Sequence, residues 1–416
     1  MNVGAAAQNH PVFRTPSARY AAPMQRTLSL ALVLLTALLL TSPSHAQPPT
    51  PTAPSPLKTK SVFLIMLDGL RWQEVFTGAD DRLINKDNGV THIDAVTAAY
   101  WRGTPEQRRE ALMPFLWSVA VPRGQIYGNL LNSSDAHVIN PWRVSYPGYS
   151  ETFCGVPNDA IKDNRKIMNP ETTVFEWLHN KPAFKDRVAA FGTWDLFSYI
   201  INTERSAIPV DNGMGALAFE KSSDTIKLWN TCRAETPYRW AGSCFDSMLF
   251  RPALDWIALN TPRVVFLGLG ETDEWAHEGN YEQYLTAAHR ADGYIRELWT
   301  FIQSSPDYKD TTSIILLCDH GRGGPPPSTT PSTMTFPTLE GNDPKQWRDH
   351  NSKVPGAQQI WIAIWGPDTP ALGERANIPA VTQSQVAATL AALLGENYSA
   401  TEPRAGEAIK DALAKP

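Results

Sequence analysis

The stretch Ser61-Val-Phe-Leu-Ile-Met-Leu67, followed directly by Asp68, decides the fold. An unbroken apolar run of this length is typical of a strand buried on both faces of a parallel sheet. Two later runs, at residues 263–269 and 313–318, have the same form and also precede acidic residues. Because the carboxyl ends of parallel strands border the binding crevice of an open α/β sheet, we expect these acidic residues to meet there.

Helical patterns alternate with the predicted strands. A capping-box pattern begins a helix at Thr104, and residues 281–302 carry apolar residues at helical spacing. Residues 383–394 predict a closing helix that ends at Gly395. With shorter strands at 187–191 and 360–365, the alternation predicts an α/β fold, a doubly wound, mainly parallel sheet with helices on both faces.

Composition limits the classes of function. The 416 residues are 42% hydrophobic with a formal charge of −5, so the chain can bury a large core but has no basic field for nucleic acid. No internal repeat or second domain boundary interrupts residues 59–416, which we expect to form a single catalytic domain. The oligomeric state does not follow from the sequence.

The amino-terminal residues have the pattern of a secretory signal. Met24, the expected start, is followed by Arg26, an apolar run at 28–40 and a small-residue cleavage site that ends at Ala46. The apolar run is shorter than the ~20 residues that span a bilayer, so an uncleaved anchor is the lesser alternative. After a Pro-rich linker at 47–58, the mature protein is expected in the periplasm or outside the cell.

Four cysteines suit an exported protein. Cys232 and Cys244 flank a short polar loop, and we expect them to form a disulfide bond in an oxidising compartment. Neither a CxxC nor a CxxxC spacing is present, which argues against a zinc site built from cysteines.

Ser145 is the candidate nucleophile. It lies just before Pro147, which suits the first position of a helix because it has no N–H to leave unpaired. The free N–H groups of such a helix start favour an anion beside Ser145. No histidine base adjoins Ser145 in the sequence, and a hydroxyl needs activation, so metal ions are the expected activator.

Carboxylate and imidazole side chains follow the predicted strands. Asp273 and His277 stand one helical turn apart, so both can reach one ion. Two Asp-His pairs, Asp319-His320 and Asp349-His350, lie at strand boundaries, where a turn is the plainer explanation for either pair alone. It is the combined set, with Asp68, that predicts a metal site.

Four motifs in order resemble the alkaline phosphatase superfamily: Leu67-Asp-Gly-Leu70, Ser145-Tyr-Pro-Gly148, Asp273-x-x-x-His277 and Cys318-Asp-His-Gly-Arg322. The most similar branch is the type I phosphodiesterase and nucleotide pyrophosphatase group. The resemblance spans residues 60–395, and its specificity lies in the ordered set rather than in any single motif.

The resemblance implies two divalent ions, with zinc expected, and a small-molecule phosphate ester as substrate. One ion would be held by Asp273, His277 and His350, and the other by Asp68, Asp319, His320 and Ser145. Ser145 would attack phosphorus and form a phosphoserine, while two ions roughly 4 Å apart stabilise the attacking and leaving oxygens.

Three departures from the family pattern matter. Ser145 stands where the diesterases usually have threonine, and Asn164, the expected phosphate-binding amide, follows the nucleophile at a slightly shorter distance. The sulfatase maturation pattern requires an arginine that the Ser145 motif lacks, which argues against a sulfatase.

The expected activity is on phosphodiesters or nucleotide pyrophosphates. Asn164 and the aromatic residues Trp142, Tyr146 and Tyr149 fit a monoanionic diester with an aromatic or apolar group. A phosphomonoesterase is the alternative if a nearby arginine, Arg143 or Arg322, points at the phosphate. A phosphotransferase or mutase, and a non-catalytic binding protein on the same scaffold, are lesser alternatives.

Several other residues have secondary roles in this prediction. His289 and Asp292 are read as solvated or as supporting the metal ligands, Glu271 as a turn residue or a support for a ligand, and Asp349 as a hydrogen-bond partner for a metal-bound histidine. The aperiodic segment 321–347 is read as a loop that walls the crevice.

Overall fold

The computed structural model describes residues 56–217, 223–324 and 344–414. The signal segment, most of the Pro-rich linker and the middle of the loop predicted at 321–347 lie outside the described residues. Residues 53–416 belong to one compact unit. Among the described residues, no helix has the length and apolar character needed to cross a membrane.

The described strands include the five predicted from apolar runs and five shorter ones. They are β1 (Ser61–Leu67), β2 (Gly124–Tyr127), β3 (Ala136–His137), β4 (Val188–Gly192), β5 (Val210–Asp211), β6 (Val264–Leu269), β7 (Thr312–Leu317), β8 (Ile362–Trp365), β9 (Gly373–Glu374) and β10 (Val381–Thr382).

The described α-helices range from single turns to the long helix expected after residue 280. They are α1 (Trp72–Thr77), α2 (Ile93–Tyr100), α3 (Pro105–Leu112), α4 (Ser145–Cys154), α5 (Val174–His179), α6 (Phe197–Ile200), α7 (Thr203–Ser206), α8 (Asp224–Glu235), α9 (Asp246–Asn260), α10 (Glu271–His277), α11 (Tyr281–Ser304) and α12 (Val386–Leu393).

The main sheet has eight strands in the order β5-β4-β6-β1-β7-β8-β2-β9. β1 lies in the middle and pairs in parallel with β6 on one side and β7 on the other. All seven residues of β1 are buried, which explains why its sequence is an unbroken apolar run rather than an alternating one. The predicted α/β class with a mainly parallel sheet is confirmed.

Helices cover both faces of this sheet. The Phe266 ring of β6 contacts Phe153 of α4, with ring centroids 4.8 Å apart. Phe191 of β4 contacts Trp256 of α9 at 5.5 Å. Phe191 pairs in register with Leu267, the neighbour of Phe266. Because successive side chains of a strand point to opposite faces, α4 and α9 lie on opposite sides of the sheet.

Strand β8 departs from the parallel pattern. It pairs antiparallel with both β7 and β2, so it runs against the other strands of the sheet. Its amino end therefore lies at the same edge as the carboxyl ends of β1, β6 and β7. His350 precedes β8 in the chain, and this reversal brings it to the crevice edge, which an all-parallel sheet would not do.

Two local predictions are wrong. Helix α4 begins at Ser145 itself, with Val144 as its N-cap, so Pro147 is the third helical residue and not the first. Pro147 still fits, because the N–H groups of the first turn have no partner within a helix.

The predicted disulfide bond is also absent: Cys232 and Cys244 are free thiols. The Cys244 sulfur is buried against Gly213, where a β-carbon on the glycine would lie 2.5 Å away, while Cys232 is half-buried on α8. The packing of the two cysteines therefore separates the thiols that the short spacing suggested would pair.

Candidate metal centre

The turn after β1 presents Asp68 at the sheet edge. Gly69 has a φ of +58°, and a β-carbon there would lie 2.7 Å from the Asp273 Oδ1 atom. Only glycine suits a left-handed conformation with so close an approach. The Gly69 N–H in turn donates to Asp319 Oδ1 at 3.0 Å, so this turn joins the ends of β1 and β7.

Asp68, Asp319 and His320 form what we call the inner cluster. All three are buried, and their potential ligand atoms lie within 4.8 Å of one another. His320 Nε2 is 3.5 Å from Asp68 Oδ1 and 3.3 Å from Asp319 Oδ2. The other oxygen of Asp68 accepts a hydrogen bond from the Tyr149 hydroxyl at 3.1 Å.

Asp273, His277 and His350 form the outer cluster. Helix α10 carries Asp273 and His277, and His277 Nε2 lies 3.2 Å from Asp273 Oδ2. His350 Nε2 lies 3.7 Å from the other oxygen, Asp273 Oδ1. Asp273 also lies 3.8 Å from His320 Nε2, so the two clusters adjoin at this carboxylate. The structure thus brings together all six candidate ligands other than Ser145, divided as the resemblance implies.

The imidazoles of both clusters are oriented as metal ligands usually are. His320 Nδ1 lies 3.0 Å from the Gly321 carbonyl oxygen, and His350 Nδ1 lies 3.0 Å from that of Arg143. A carbonyl oxygen only accepts, so both Nδ1 atoms carry hydrogen and both Nε2 atoms of the neutral rings present lone pairs to the clusters.

The imidazole lone pairs and the carboxylate oxygens therefore converge with too few hydrogen atoms between them to pair every one in a hydrogen bond. Within the inner cluster, Asp68 Oδ1 and Asp319 Oδ2 are buried and have no hydrogen-bond partner. Buried polar atoms are normally paired, and a buried carboxylate needs a positive partner. A cation placed among Asp68, Asp319 and His320 would satisfy these atoms, so the donor set fits a divalent metal ion.

Electrostatics lead to the same conclusion. Burial, reinforced by the neighbouring Asp319 carboxylate, raises the pKa of Asp68 well above its usual range, and burial raises the pKa of Asp319 to about 7. Burial also lowers the pKa of His320 to about 4 and that of His350 well below its usual range. Without a cation, the site therefore favours the neutral forms of its carboxyl and imidazole groups. A bound cation would stabilise the ionised carboxylates.

Ser145 opens α4 beside the inner cluster. It is buried, and its hydroxyl oxygen lies 3.3 Å from His320 Nε2. Helix α4 approaches β7 closely at Gly148, where a β-carbon would lie 2.3 Å from the Asp319 carbonyl oxygen. The Gly in the Ser145-Tyr-Pro-Gly148 motif thus lets the helix start, and with it Ser145, reach the cluster.

Asn164 completes the surroundings of Ser145. Its Oδ1 atom accepts a hydrogen bond from the Tyr146 N–H at 3.0 Å, and the residue lines the same cleft as Ser145. With Oδ1 engaged, the amide nitrogen remains available as a neutral donor in the cleft. The cleft has a volume of about 190 Å³ and is also lined by Asp68 and Asp273.

The two candidate arginines have different surroundings. Arg322 is buried and donates to the Gly69 carbonyl at 3.1 Å, to the Arg348 carbonyl at 2.6 Å and to the Asp273 carboxylate. Its donors hold Asp273 and the neighbouring loops, which is a bracing role rather than a contact with phosphate. Arg143 is half-buried, with a φ of +55°, and is not among the residues that line the cleft.

The aromatic residues predicted to stack on substrate are placed otherwise. Tyr146 and Tyr149 are buried, and their hydroxyls donate to the Ile167 carbonyl at 2.7 Å and to Asp68 respectively. Trp142 faces Lys162 at 5.4 Å and does not line the cleft. Of these three residues, Tyr149 lines the cleft and the other two do not, because spacing along α4 does not tell which helix face meets the sheet.

Six cleft-lining residues were not predicted: Thr193, Trp194, Phe197, Ser243, Gly270 and Glu274. Trp194 follows β4 at the same sheet edge, so the strand-end argument applied to β1 could have identified it. Glu274 is one of the unspecified positions of the Asp273-x-x-x-His277 motif, and the spacing of the two ligands says nothing about the residues between them. Nothing in the local sequence marks Ser243.

Two of the four supporting residues, Asp349 and Asp292, differ from expectation. Asp349 is exposed, and the Arg143 carbonyl takes the role predicted for it beside His350. Asp292 is buried and accepts from the N–H groups of Phe115 and Leu116, both at 2.8 Å.

The remaining two support the helices around the site. His289 Nδ1 lies 2.8 Å from the Leu112 carbonyl oxygen. Glu271 is buried, accepts from the Asp246 N–H at 2.9 Å and pairs with Arg290. Asp292, His289 and Glu271 thus brace neighbouring elements rather than the metal ligands.

The sheet order, the reversed β8 and the two adjoining clusters at the strand ends define an alkaline phosphatase-like α/β fold. Among solved structures, the chain is similar to the wild-type alkaline phosphatase PafA, with a TM-score of 0.54 and 11% identity over 87% of this chain and 100% of that one. It is also similar to the lipoteichoic acid synthase LtaP from Listeria monocytogenes, with a TM-score of 0.50 and 12% identity over 82% of this chain and 72% of that one.

These similarities show the fold. No protein-family model matches the chain, and no curated protein is similar to it in sequence.

Proposed function

We propose that the protein is an exported phosphoric ester hydrolase that uses Ser145 as its nucleophile and requires two divalent metal ions. One observation carries the proposal: the Ser145 hydroxyl oxygen lies 3.3 Å from His320 Nε2, in a cleft that both clusters line or adjoin. A buried hydroxyl at a helix start, beside unpaired carboxylate oxygens, is an arrangement suited to nucleophilic attack.

The donor sets indicate which residues would hold the ions. The inner cluster and Ser145 would hold one, and the outer cluster the other; their mixture of imidazole nitrogen and carboxylate oxygen suits zinc. When bound, the ions supply a lowered pKa for the Ser145 hydroxyl and positive charge beside the transferred phosphoryl group.

The protein's own residues position the reaction. Tyr149 fixes Asp68, and the carbonyls of Gly321 and Arg143 fix the ring orientations of His320 and His350. Ser145 forms a bond to phosphorus as the bond to the leaving alcohol breaks, which gives a phosphoserine. Water then cleaves this ester and regenerates the hydroxyl. The Asn164 amide nitrogen is placed to donate to a non-bridging oxygen during both steps.

The cleft suits a phosphodiester better than a monoester. Among the described residues that line it, none is lysine or arginine, whereas Glu274 adds a carboxylate. A monoester brings a dianion and would need an added positive group, but Arg322 is engaged with Asp273. A monoanionic diester needs only a neutral donor such as Asn164. This favours the type I phosphodiesterase and nucleotide pyrophosphatase group as the protein's functional class.

The experiment compares two chromogenic esters on the purified mature protein. We expect kcat/KM for bis-p-nitrophenyl phosphate to exceed that for p-nitrophenyl phosphate, with close to two zinc equivalents by elemental analysis. A ratio well below one would reassign the protein to monoesters. Hydrolysis by protein that contains no transition metal would contradict the two-ion requirement.

Export is tested separately. The residues that predict it lie outside the described part of the chain. Amino-terminal sequencing of protein made in a bacterial host should begin at Gln47, immediately after Ala46. A full-length product retained in the cytoplasm would contradict the assignment to the periplasm or the exterior.

A further inference from the structure

Glu151 is a buried carboxylate that the proposed metal centre does not use. It lies on α4, the helix that Ser145 opens, and its side chain is excluded from solvent. Glu151 is absent from both groups of potential metal ligands. Because a buried carboxylate is costly unless its oxygens are hydrogen-bonded, the partners of Glu151 indicate what it holds in place.

These partners are neutral N–H groups on the loop before α4. The Oε1 atom of Glu151 accepts from the Ile139 N–H at 3.0 Å. Its Oε2 atom accepts from the backbone N–H and from the side-chain amide of Asn140, both at 2.8 Å. Asn140 is itself buried. The carboxylate therefore fixes both the backbone and the side chain of Asn140 against α4.

Asn140 in turn restrains Arg143. Its Oδ1 atom accepts from the backbone N–H of Trp142 at 3.2 Å and from that of Arg143 at 2.8 Å, which is the arrangement of an Asx turn. Because Glu151 binds the amide nitrogen of Asn140, the amide oxygen is the atom that faces these N–H groups. Glu151 thus also sets the orientation of the Asn140 amide.

Arg143 has a backbone conformation that needs such support. Its φ of +55° lies in the left-handed region, which a residue with a β-carbon adopts rarely and keeps only where its surroundings hold it. The carbonyl oxygen of this residue lies 3.0 Å from His350 Nδ1. The hydrogen bonds that begin at Glu151 and run through Asn140 therefore end on a candidate ligand of the outer cluster.

We propose that Glu151 is a positioning residue, which acts through Asn140 and the turn at Arg143 to hold the His350 ring with Nε2 facing the outer cluster. Its part in the reaction rests on the proposed function, because that function requires an ion at the outer cluster. The helix that begins at Ser145 thereby also sets the orientation of an outer ligand, so the nucleophile and the outer site keep a fixed relation.

The first measurement needs neither metal nor substrate. In metal-free protein with nitrogen-15-labelled histidine, NMR at about pH 8 reports which ring nitrogen of neutral His350 carries hydrogen, and His350→Asn assigns the signal. The wild type should show the Nδ1–H tautomer. In Glu151→Gln, one carboxylate oxygen is replaced by an amide group that cannot accept, and we expect the tautomer ratio to shift about fivefold toward Nε2–H.

A second variant tests the same hydrogen bonds from the other end. Asn140→Ala removes the acceptor of the Arg143 N–H, so the tautomer ratio of His350 should shift at least as far as in Glu151→Gln. If Glu151→Gln does not fold, Asn140→Ala decides alone.

Asp292→Asn is the matched control. Asp292 is another buried carboxylate that accepts from two backbone N–H groups, those of Phe115 and Leu116, and it has no contact with the loop before α4. Its substitution should cost a similar amount of stability but leave the tautomer ratio of His350 at the wild-type value.

Zinc titration followed by calorimetry extends the test to the loaded protein. We expect Glu151→Gln to weaken binding at the outer site about tenfold and at the inner site by less, because only the outer site contains His350. Asp292→Asn should leave both affinities unchanged.

A wild-type tautomer ratio in folded Glu151→Gln would overturn the positioning role, even in a protein that hydrolyses diesters as proposed. An equal shift in Asp292→Asn would also overturn it, since the effect would then follow from lost stability alone. Protein that binds no zinc or hydrolyses no ester would contradict the proposed function, whereas a shifted ratio in that protein would still show that Glu151 orients His350.

Discussion

The inner and outer clusters have the same donor types but differ in the exposure of one ligand. In the inner cluster, the side chains of His320 and Asp319 are fully buried, whereas in the outer cluster 43% of the His277 side chain is exposed. The inner residues follow β1 and β7 in the centre of the sheet, and the outer ones lie on α10 and on the connection before β8. The inner cluster is therefore fixed by the core of the sheet, whereas the outer cluster forms the mouth of the cleft.

The largest effect should come from removing the nucleophile beside the inner cluster. We expect Ser145→Ala to lose turnover by on the order of 10⁴-fold or more, because no covalent intermediate can form. Metal content and melting temperature should change little, since three inner ligands remain. Ser145→Thr should keep part of the activity. Wild-type rates in Ser145→Ala would place the chemistry elsewhere.

A second substitution should affect the outer cluster more than the inner one. Arg322→Lys keeps the charge but loses the donors that hold Asp273 and Gly69, and we expect about 10- to 100-fold weaker binding of the outer ion. Metal titration followed by calorimetry measures both sites. Arg290→Lys, which alters the partner of Glu271 on the same helix, is the control and should leave both affinities unchanged. Equal weakening at both sites would refute the distinction.

The order of metal loss is a smaller and more direct test. Because His277 is exposed and His320 is not, a chelator should remove the outer ion first, with release about tenfold faster than from the inner site. Elemental analysis during a slow chelator titration should pass through a plateau at one equivalent. Simultaneous loss of both ions would show that the clusters act as one.

The smallest effect concerns pH. Burial raises the pKa of Asp319 to about 7 and that of Asp292 to about 6, so each carboxyl favours its protonated form in the folded state. Each contribution to stability is complete below the unfolded value of 3.8 and is lost as pH rises through the folded pKa. We expect the melting temperature of the metal-free protein to fall by about 4 °C between pH 5 and 8.

The contributions of Asp319 and Asp292 to this fall in melting temperature can be measured separately. Metal binding requires an ionised Asp319, so the loaded protein should keep only the part of the fall that is centred near pH 6. That remaining part should disappear in Asp292→Asn, because Asp292 lies within α11 and accepts from the N–H groups of Phe115 and Leu116, which belong to neither cluster. A loaded protein that kept the whole fall would show that Asp319 does not contact the metal.

Apolar runs were sufficient to predict the central strands and the residues that follow them. β1 and β7 are buried on both faces, so their sequences read as apolar runs; Asp68 follows β1 directly, and Asp319 follows β7 after Cys318. The direction of β8 could not be predicted in the same way. An apolar run reads alike in both directions, and only pairing with β7 shows that the strand is reversed.

Residues whose roles depend on contacts from distant parts of the chain were harder to predict. Arg322 is close to His320 in sequence, but its donors are engaged by Gly69 and Asp273, which no local pattern reveals. Tyr149 lines the cleft, but its hydroxyl donates to Asp68 on another element, a contact that its position in α4 does not reveal. In both, the side chain's partner lies on another element, so spacing along the chain carries no information about it.

The reversal of β8 also has a consequence for how such a protein can change. The chain leaves β7 and enters β8 at the same edge of the sheet, the edge that carries both clusters. A segment transplanted between Arg322 and Arg348 would therefore leave the strand order and the proposed metal ligands unchanged. For an engineer seeking new specificities, this connection is the natural place for insertions.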